Sequence, residues 1–219
     1  RGQDEPSSDA PPAAGMAGRR QRFKVCLLGE GRVGKTSILL RYVKDSFDDR
    51  QASTMAASYL DKTLSVGGTS VKLSIWDTAG QERYHALGPL YYRDANGALL
   101  VYDITDEQSF ERVQHWVKEL RKIVGGDLAL ALAANKCDLE KDRHVDRAKA
   151  EAYAASVGAS HFHTSAKTNK GLETVFNDLC TKMLAKKGAG GGGGAAGGTR
   201  RRRAGQQAAR RRRAARVRW

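Results

Sequence analysis

The sequence predicts an α/β domain with a six-stranded, mostly parallel sheet, one antiparallel hairpin at its edge and helices on both faces. Three observations carry this prediction. Apolar runs alternate with amphipathic stretches through the middle of the chain, the order that builds parallel sheets. Gly67-Gly68 separates two strand-like runs, the signature of a two-residue hairpin turn. A glycine-rich loop, Gly29 to Thr36, joins an apolar run to an amphipathic one, as in a strand–loop–helix unit. The predicted domain, residues 22–187 of 219, is long enough to bury one sheet with helices on both sides.

The first element is the apolar run Phe23 to Leu28, read as a buried strand. After the loop, Ile38, Leu39, Leu40 and Val43 mark a helix. Tyr59 to Val66 and Ser70 to Asp77 form the hairpin, and Val71, Leu73 and Ile75 alternate along its second arm. Helices follow near Glu107 to Val124, Asp146 to Val157 and Gly171 to Lys186. The last carries Leu172, Val175, Phe176, Leu179 and Met183 on one face, ordinary core packing. Between these helices, Leu128 to Ala134 and His161 to Thr164 read as further strands.

The chemistry sits at the strand ends. Gly29-Glu30-Gly31-Arg32-Val33-Gly34-Lys35-Thr36, followed by Ser37, fits a phosphate cradle, or P-loop. Its glycines turn backbone N–H groups inward and the helix N-terminus adds positive potential. Lys35 can reach terminal phosphates, and the Thr36 hydroxyl can hold Mg²⁺. Asn135-Lys136-Cys137-Asp138 ends a strand, where open α/β sheets bind ligands. A carboxylate at Asp138 can accept two hydrogen bonds from guanine, whereas adenine offers no matching donor pair. Ser165-Ala166-Lys167 can close over the base edge. Asp77, opening Asp77-Thr78-Ala79-Gly80-Gln81-Glu82, is placed to bond a water on Mg²⁺. The Gly80 N–H can reach a γ-phosphate, and Gln81 can orient an attacking water. Thr54 is the natural second hydroxyl ligand of the metal. Plain alternatives exist for each piece alone: a strand-end turn at Asp138, a polar loop at Gln81, a core-anchoring phenylalanine at Phe47.

Taken together, these segments resemble the Rab branch of Ras-like small GTPases over about residues 22–186. Lys72 to Glu82, Tyr91-Tyr92-Arg93-Asp94-Ala95 and Leu100 to Thr105 resemble Rab segments in particular, and Gly29-Glu30-Gly31, Arg83 to Pro89 and Asp138 to Lys141 resemble the early-endosomal group most. The resemblance implies a small G domain and a switch that binds GTP and GDP with Mg²⁺ and hydrolyses GTP. It implies that Phe47 packs on guanine, that Gln81 is catalytic, and that Thr36, Thr54 and Asp77 hold the metal. Effectors would read two loops and the aromatic trio Tyr59, Trp76 and Tyr91. Exchange factors and GTPase-activating proteins would set the cycle, on a monomer at the cytoplasmic face of early endosome membranes. A runner-up is a guanine-nucleotide-dependent binding module that cycles poorly. Arg32, where the family usually has a small residue, is expected to speed GDP release.

The ends read differently. Residues 1–21 are rich in Pro, Ala, Gly and Ser, a disordered composition. Residues 188–199 read as a Gly/Ala-rich linker. Residues 200–219 hold ten arginines and no acid, so they supply most of the formal net charge of +14. Three readings of this tail stay open: a GC-biased reading frame without function, an anionic-lipid-binding segment, or a nucleic-acid-binding one. Between Cys180 and Trp219 there is no cysteine, so this stretch offers no prenylation site. Cys26, Cys137 and Cys180 are scattered and odd in number, which points to a reducing cytosol. The five histidines show no ligand spacing in the sequence, and His161 and His163 read as structural.

Overall fold

The computed structural model describes residues 20–78 and 91–190. Among them strands and helices run in the order β1 (Gln21–Leu28), α1 (Lys35–Lys44), β2 (Ser58–Val66), β3 (Thr69–Asp77), β4 (Gly97–Asp103), α2 (Glu107–Val124), β5 (Ala129–Asn135), α3 (Arg147–Ser156), β6 (Ser160–His163) and α4 (Leu172–Gly190). A 3-10 segment, Cys137–Asp142, follows β5. The sheet order is β2-β3-β1-β4-β5-β6. Only the β2–β3 pair is antiparallel. Their turn residues Gly67 and Gly68 both have positive φ, 54° and 76°, as the tightest hairpin turn requires.

Alternation along each buried strand feeds two cores. Phe23, Val25 and Leu27 of β1 face α1 and α4, while Cys26 and Leu28 face α2. The same split puts Leu99 and Val101 of β4 on one side, with Leu100 and Tyr102 on the other. Successive strand side chains point to opposite faces, so helices on both sides demand an all-apolar strand. Each fully buried Leu, Val, Ile or Phe contributes about 1.5–3 kcal/mol. Small residues Ala129, Ala131 and Ala133 make room on β5 for Leu179 and Met183 of α4.

Helix starts follow their capping residues. Asp106 accepts from the Gln108 and Ser109 N–H groups, and Asp146 accepts from Lys149 N–H, satisfying donors that helices leave unpaired. Asp146, expected inside α3, therefore stands just before it. The last helix runs to Gly190, three residues into the expected linker. Propagation adds one hydrogen bond per residue, so a helix can outrun its apolar stripe. The remaining linker, both termini and the segment with Gly80 and Gln81 lie outside the described residues. No described helix is long and apolar enough to cross a membrane.

Candidate functional site

The strand order reverses beside β1, which pairs with β3 on one side and β4 on the other. Open α/β sheets carry their ligand crevice at such a point, beyond the carboxyl ends of the strands. A cleft of about 520 Å³ opens there. It is lined by Gly31, Arg32, Gly34, Lys35, Thr36 and Ser37 at one end and by Asn135, Lys136, Asp138, Ala166 and Lys167 at the other, with Phe47 and Thr54 along the rim.

The glycine loop wraps around Lys35. This side chain is only 5% exposed, and its Nζ donates to the carbonyls of Gly29 and Glu30 at 2.8 and 2.7 Å. Burial pushes its ammonium down to about 8, while the carboxylates of Asp77 and Glu30 oppose the shift. An anionic ligand alongside would favour the charged form. Gly34 has φ 94°, and a Cβ there would stand 2.5 Å from the Asn135 amide nitrogen. Glycine is thus demanded both by backbone angle and by space. Since Ile38 N–H is the first to bond back, to Gly34 O, the earlier N–H groups of α1 are left toward the cleft, a favourable place for an anion.

Three oxygens converge beside this loop. Thr36 Oγ1 donates to Asp77 Oδ2 at 2.6 Å and lies 2.6 Å from Thr54 Oγ1. Asp77 is fully buried, and its Oδ1 has no hydrogen-bond partner. Burial raises the Asp77 carboxyl, against hydrogen bonds from Thr36 and Thr54 and the charge of Lys35. A buried carboxylate oxygen without a partner, next to two hydroxyls, fits the oxygen-ligand chemistry of Mg²⁺.

The base end is stitched to the phosphate end. Asn135 is 2% exposed, and its Nδ2 donates to Val33 O at 2.8 Å. Thr164 Oγ1 donates to Asn135 Oδ1, and Cys137 N–H donates to Thr164 O. Ser165 Oγ donates to Asp138 Oδ1 at 2.5 Å, so the two late motifs meet as expected. Lys136 sits at φ 61° with its Nζ 2.5 Å from Asp103 Oδ2. Phe47 is half-buried, packs against the α1–α4 core, as the core-anchoring reading expects, and also lines the cleft.

Two contributors escaped the sequence reading. Asp103 anchors Lys136, and its position at the end of β4 was a usable signal. Arg41 donates to the carbonyls of Ala166 and Lys167 at 2.9 and 3.3 Å; nothing in a chain separation of 125 residues announces that contact. Away from the cleft, Tyr59 stacks on Trp76 with centroids 5.0 Å apart, and Trp76 lies 6.4 Å from Tyr91. Tyr59 is 54% exposed, while Trp76 is partly buried and packs against the α2-side core, so the trio runs from the core edge to the surface.

Comparison with known proteins gives a consistent result. Residues 24–185 match the Ras family. The chain is 62% identical over 168 residues to the Ras-related protein Rab-21 of Bos taurus, covering 77% of this chain and 76% of that one. It is 54% identical over 169 residues to the Ras-related protein Rab-21 of Dictyostelium discoideum, covering 77% and 80%. It is 49% identical over 162 residues to the GTP-binding protein ypt5 of Schizosaccharomyces pombe, covering 73% and 77%.

Proposed function

The chain belongs to the Ras family of small GTPases, in its Rab branch, and from that premise we propose that it serves the early endocytic step of vesicle transport. As a Rab protein it binds GTP and GDP with Mg²⁺, hydrolyses GTP and acts as a molecular switch in vesicle trafficking. Effectors, exchange factors and GTPase-activating proteins are the partners of that cycle. The single observation that supports one shared nucleotide pocket is the Asn135 Nδ2 to Val33 O bond, which ties the base motif to the phosphate loop across 102 residues of chain.

We assign the roles as follows. Asp138 reads the guanine edge through its carboxylate, with Ser165 holding the carboxylate in place. The Ala166 backbone, braced by Arg41, closes the base end, and Phe47 covers the ring. Lys35 and the N–H groups of Gly34, Thr36 and Ser37 bind the phosphates. Thr36, Thr54 and Asp77 hold Mg²⁺, which neutralises phosphate charge when bound. Gln81 orients the attacking water, and the Gly80 N–H senses the terminal phosphate. Tyr59, Trp76 and Tyr91 present the effector surface. The same proposal puts a monomer at the cytoplasmic face of early endosome membranes.

Competition among GTP, GDP and ATP for nucleotide-stripped protein tests the pocket. We expect ATP to bind at least about 10³-fold more weakly, because a site built to pair with polar groups rejects a ligand that leaves them unpaired. Equal affinities would remove the guanine assignment. The endocytic step is tested by offering GTP- and GDP-loaded protein to isolated early-endosomal and Golgi membranes. Preferential recruitment of the GTP form to the endosomal fraction is expected; equal recruitment to both would discard that step.

A further inference from the structure

On the far side of the sheet from the phosphate loop, β6 brings together groups that the sequence reading took as merely structural. His161 and His163 point to the same side of the strand, and their rings meet edge to face with centroids 5.2 Å apart. Glu151 of α3 faces them. One ligand atom from each of the three lies within 4.8 Å of the others. The spacing was invisible in the sequence because Glu151 enters from another element.

Hydrogen bonding within the fold does not account for this grouping. His163 Nδ1 is buried without a partner, and His163 Nε2 stands 3.7 Å from Glu151 Oε1, beyond hydrogen-bond reach. A buried polar atom left unpaired costs about 1–3 kcal/mol. His161, by contrast, is held: its Nε2 pairs with the Tyr102 hydroxyl at 2.8 Å. An outer partner on one ring nitrogen is how metal-bound histidines are oriented, leaving the other nitrogen for the ion. Burial, then the neighbouring His163, pushes His161 down to about 4. Glu151 is about half exposed and His163 27% exposed, which leaves an entry path. Arg143 and Arg147 act against a cation here, but both are engaged by Glu140.

We propose that His161, His163 and Glu151 form a binding site for a divalent transition metal of the zinc type. Two imidazoles and a carboxylate suit zinc, cobalt or nickel and not magnesium or calcium. Three protein ligands with an open fourth position are a common zinc arrangement. Tetrahedral ligands at about 2.0–2.1 Å stand roughly 3.3 Å apart, so the three ligand atoms, now within 4.8 Å of one another, must draw together on binding, and the half-exposed Glu151 side chain is free to swing inward. The site lies apart from the Mg²⁺ cluster at Thr36 and Asp77. Its strand runs straight into Thr164 and Ser165, which pack against Asn135 and Asp138.

The test is zinc titration of the full chain, loaded with GDP in excess Mg²⁺, against a chromophoric chelator. One zinc per chain is expected. His163→Gln and Glu151→Gln should each weaken it at least about tenfold, while His115→Gln and His144→Gln leave it unchanged. GDP retained one to one by each variant reports that it is folded, and His161→Asn supplies a second imidazole deletion if one variant is not. Substituting Co²⁺ should give the strong visible absorption of a four-coordinate site in the parent only. No zinc bound in excess Mg²⁺, undiminished zinc affinity in both His163→Gln and Glu151→Gln, or loss on Cys137→Ser instead, would overturn the proposal.

Discussion

The base end of the cleft is held by hydrogen bonds within the sheet's own framework, whereas its rim at Thr54 hangs on side-chain hydroxyls. At the base end, Asn135, Thr164 and Val33 lock three separate segments together through buried groups. Residues 45–57 are mostly exposed, and their bonds are mainly local, as in Asp48 with Arg50 and Gln51. Thr54 reaches the core only through Thr36 and, at 3.4 Å, Asp77. Elements that move in switching are drawn from the least tethered part of a fold. The contrast matches a ligand whose base stays fixed while its phosphates change.

Asp138→Asn should break the base end most severely. Replacing a charged acceptor of two guanine hydrogen bonds removes about 1.5–3 kcal/mol for each, so GDP affinity should fall by roughly 10²–10⁴-fold. Xanthine nucleotides, whose 2-position carries an oxygen, should gain relative to guanine. Equilibrium titration with both nucleotides decides it, and unaltered discrimination would take the role from Asp138.

Asn135→Ala tests whether the stitch is structural. It leaves Val33 O without its buried donor, and a lone buried acceptor costs about 1–3 kcal/mol. Urea unfolding of nucleotide-free protein should show a loss in that range. Thr54→Ala, measured the same way, should lose under about 0.5 kcal/mol, since its bond to Asp77 is long and Thr36 still donates to that carboxylate without it. Equal losses would erase the contrast between the two regions.

Gln81→Leu addresses the chemistry, not the scaffold. Nucleotide affinity should hold, while single-turnover hydrolysis slows at least about tenfold, equivalent to 1.4 kcal/mol of barrier. An unchanged rate would count against Gln81 as the group that orients water.

Much of this architecture was legible because it is periodic or punctuated. The strand alternation of Phe23 to Leu28 and the Gly67-Gly68 turn each have a local physical cause, and β1 and the hairpin formed within two residues of expectation, whereas α4 ran four residues past its expected end. The convergence of Thr36 and Asp77 was legible for another reason: one starts a helix and the other ends a strand at the same crevice, whereas Thr54 lies in the loop between α1 and β2 and was picked out only by the phosphate loop beside it. What stayed hidden depends on tertiary approach alone. Arg41 reaches Ala166 from 125 residues away in the chain, and Glu151 meets His161 and His163 across an element boundary. No spacing rule encodes either.

Arg32 is where the two ends of the cleft can be compared most finely. It lies exposed at the cleft mouth with φ 63°, a left-handed conformation that costs a non-glycine residue about 1–2 kcal/mol. It also lines the cleft, so an effect on release can come from its charged side chain or from the strained loop. Arg32→Ala removes the charge and keeps the strain, while Arg32→Gly removes both. If loop strain promotes release, only the glycine variant should hold fluorescent GDP longer, by about threefold, or roughly 0.6 kcal/mol. If the charge promotes release, both should. Identical release rates in all three proteins would show that this position sets nothing, and would return control of exchange to Thr54 and its loop.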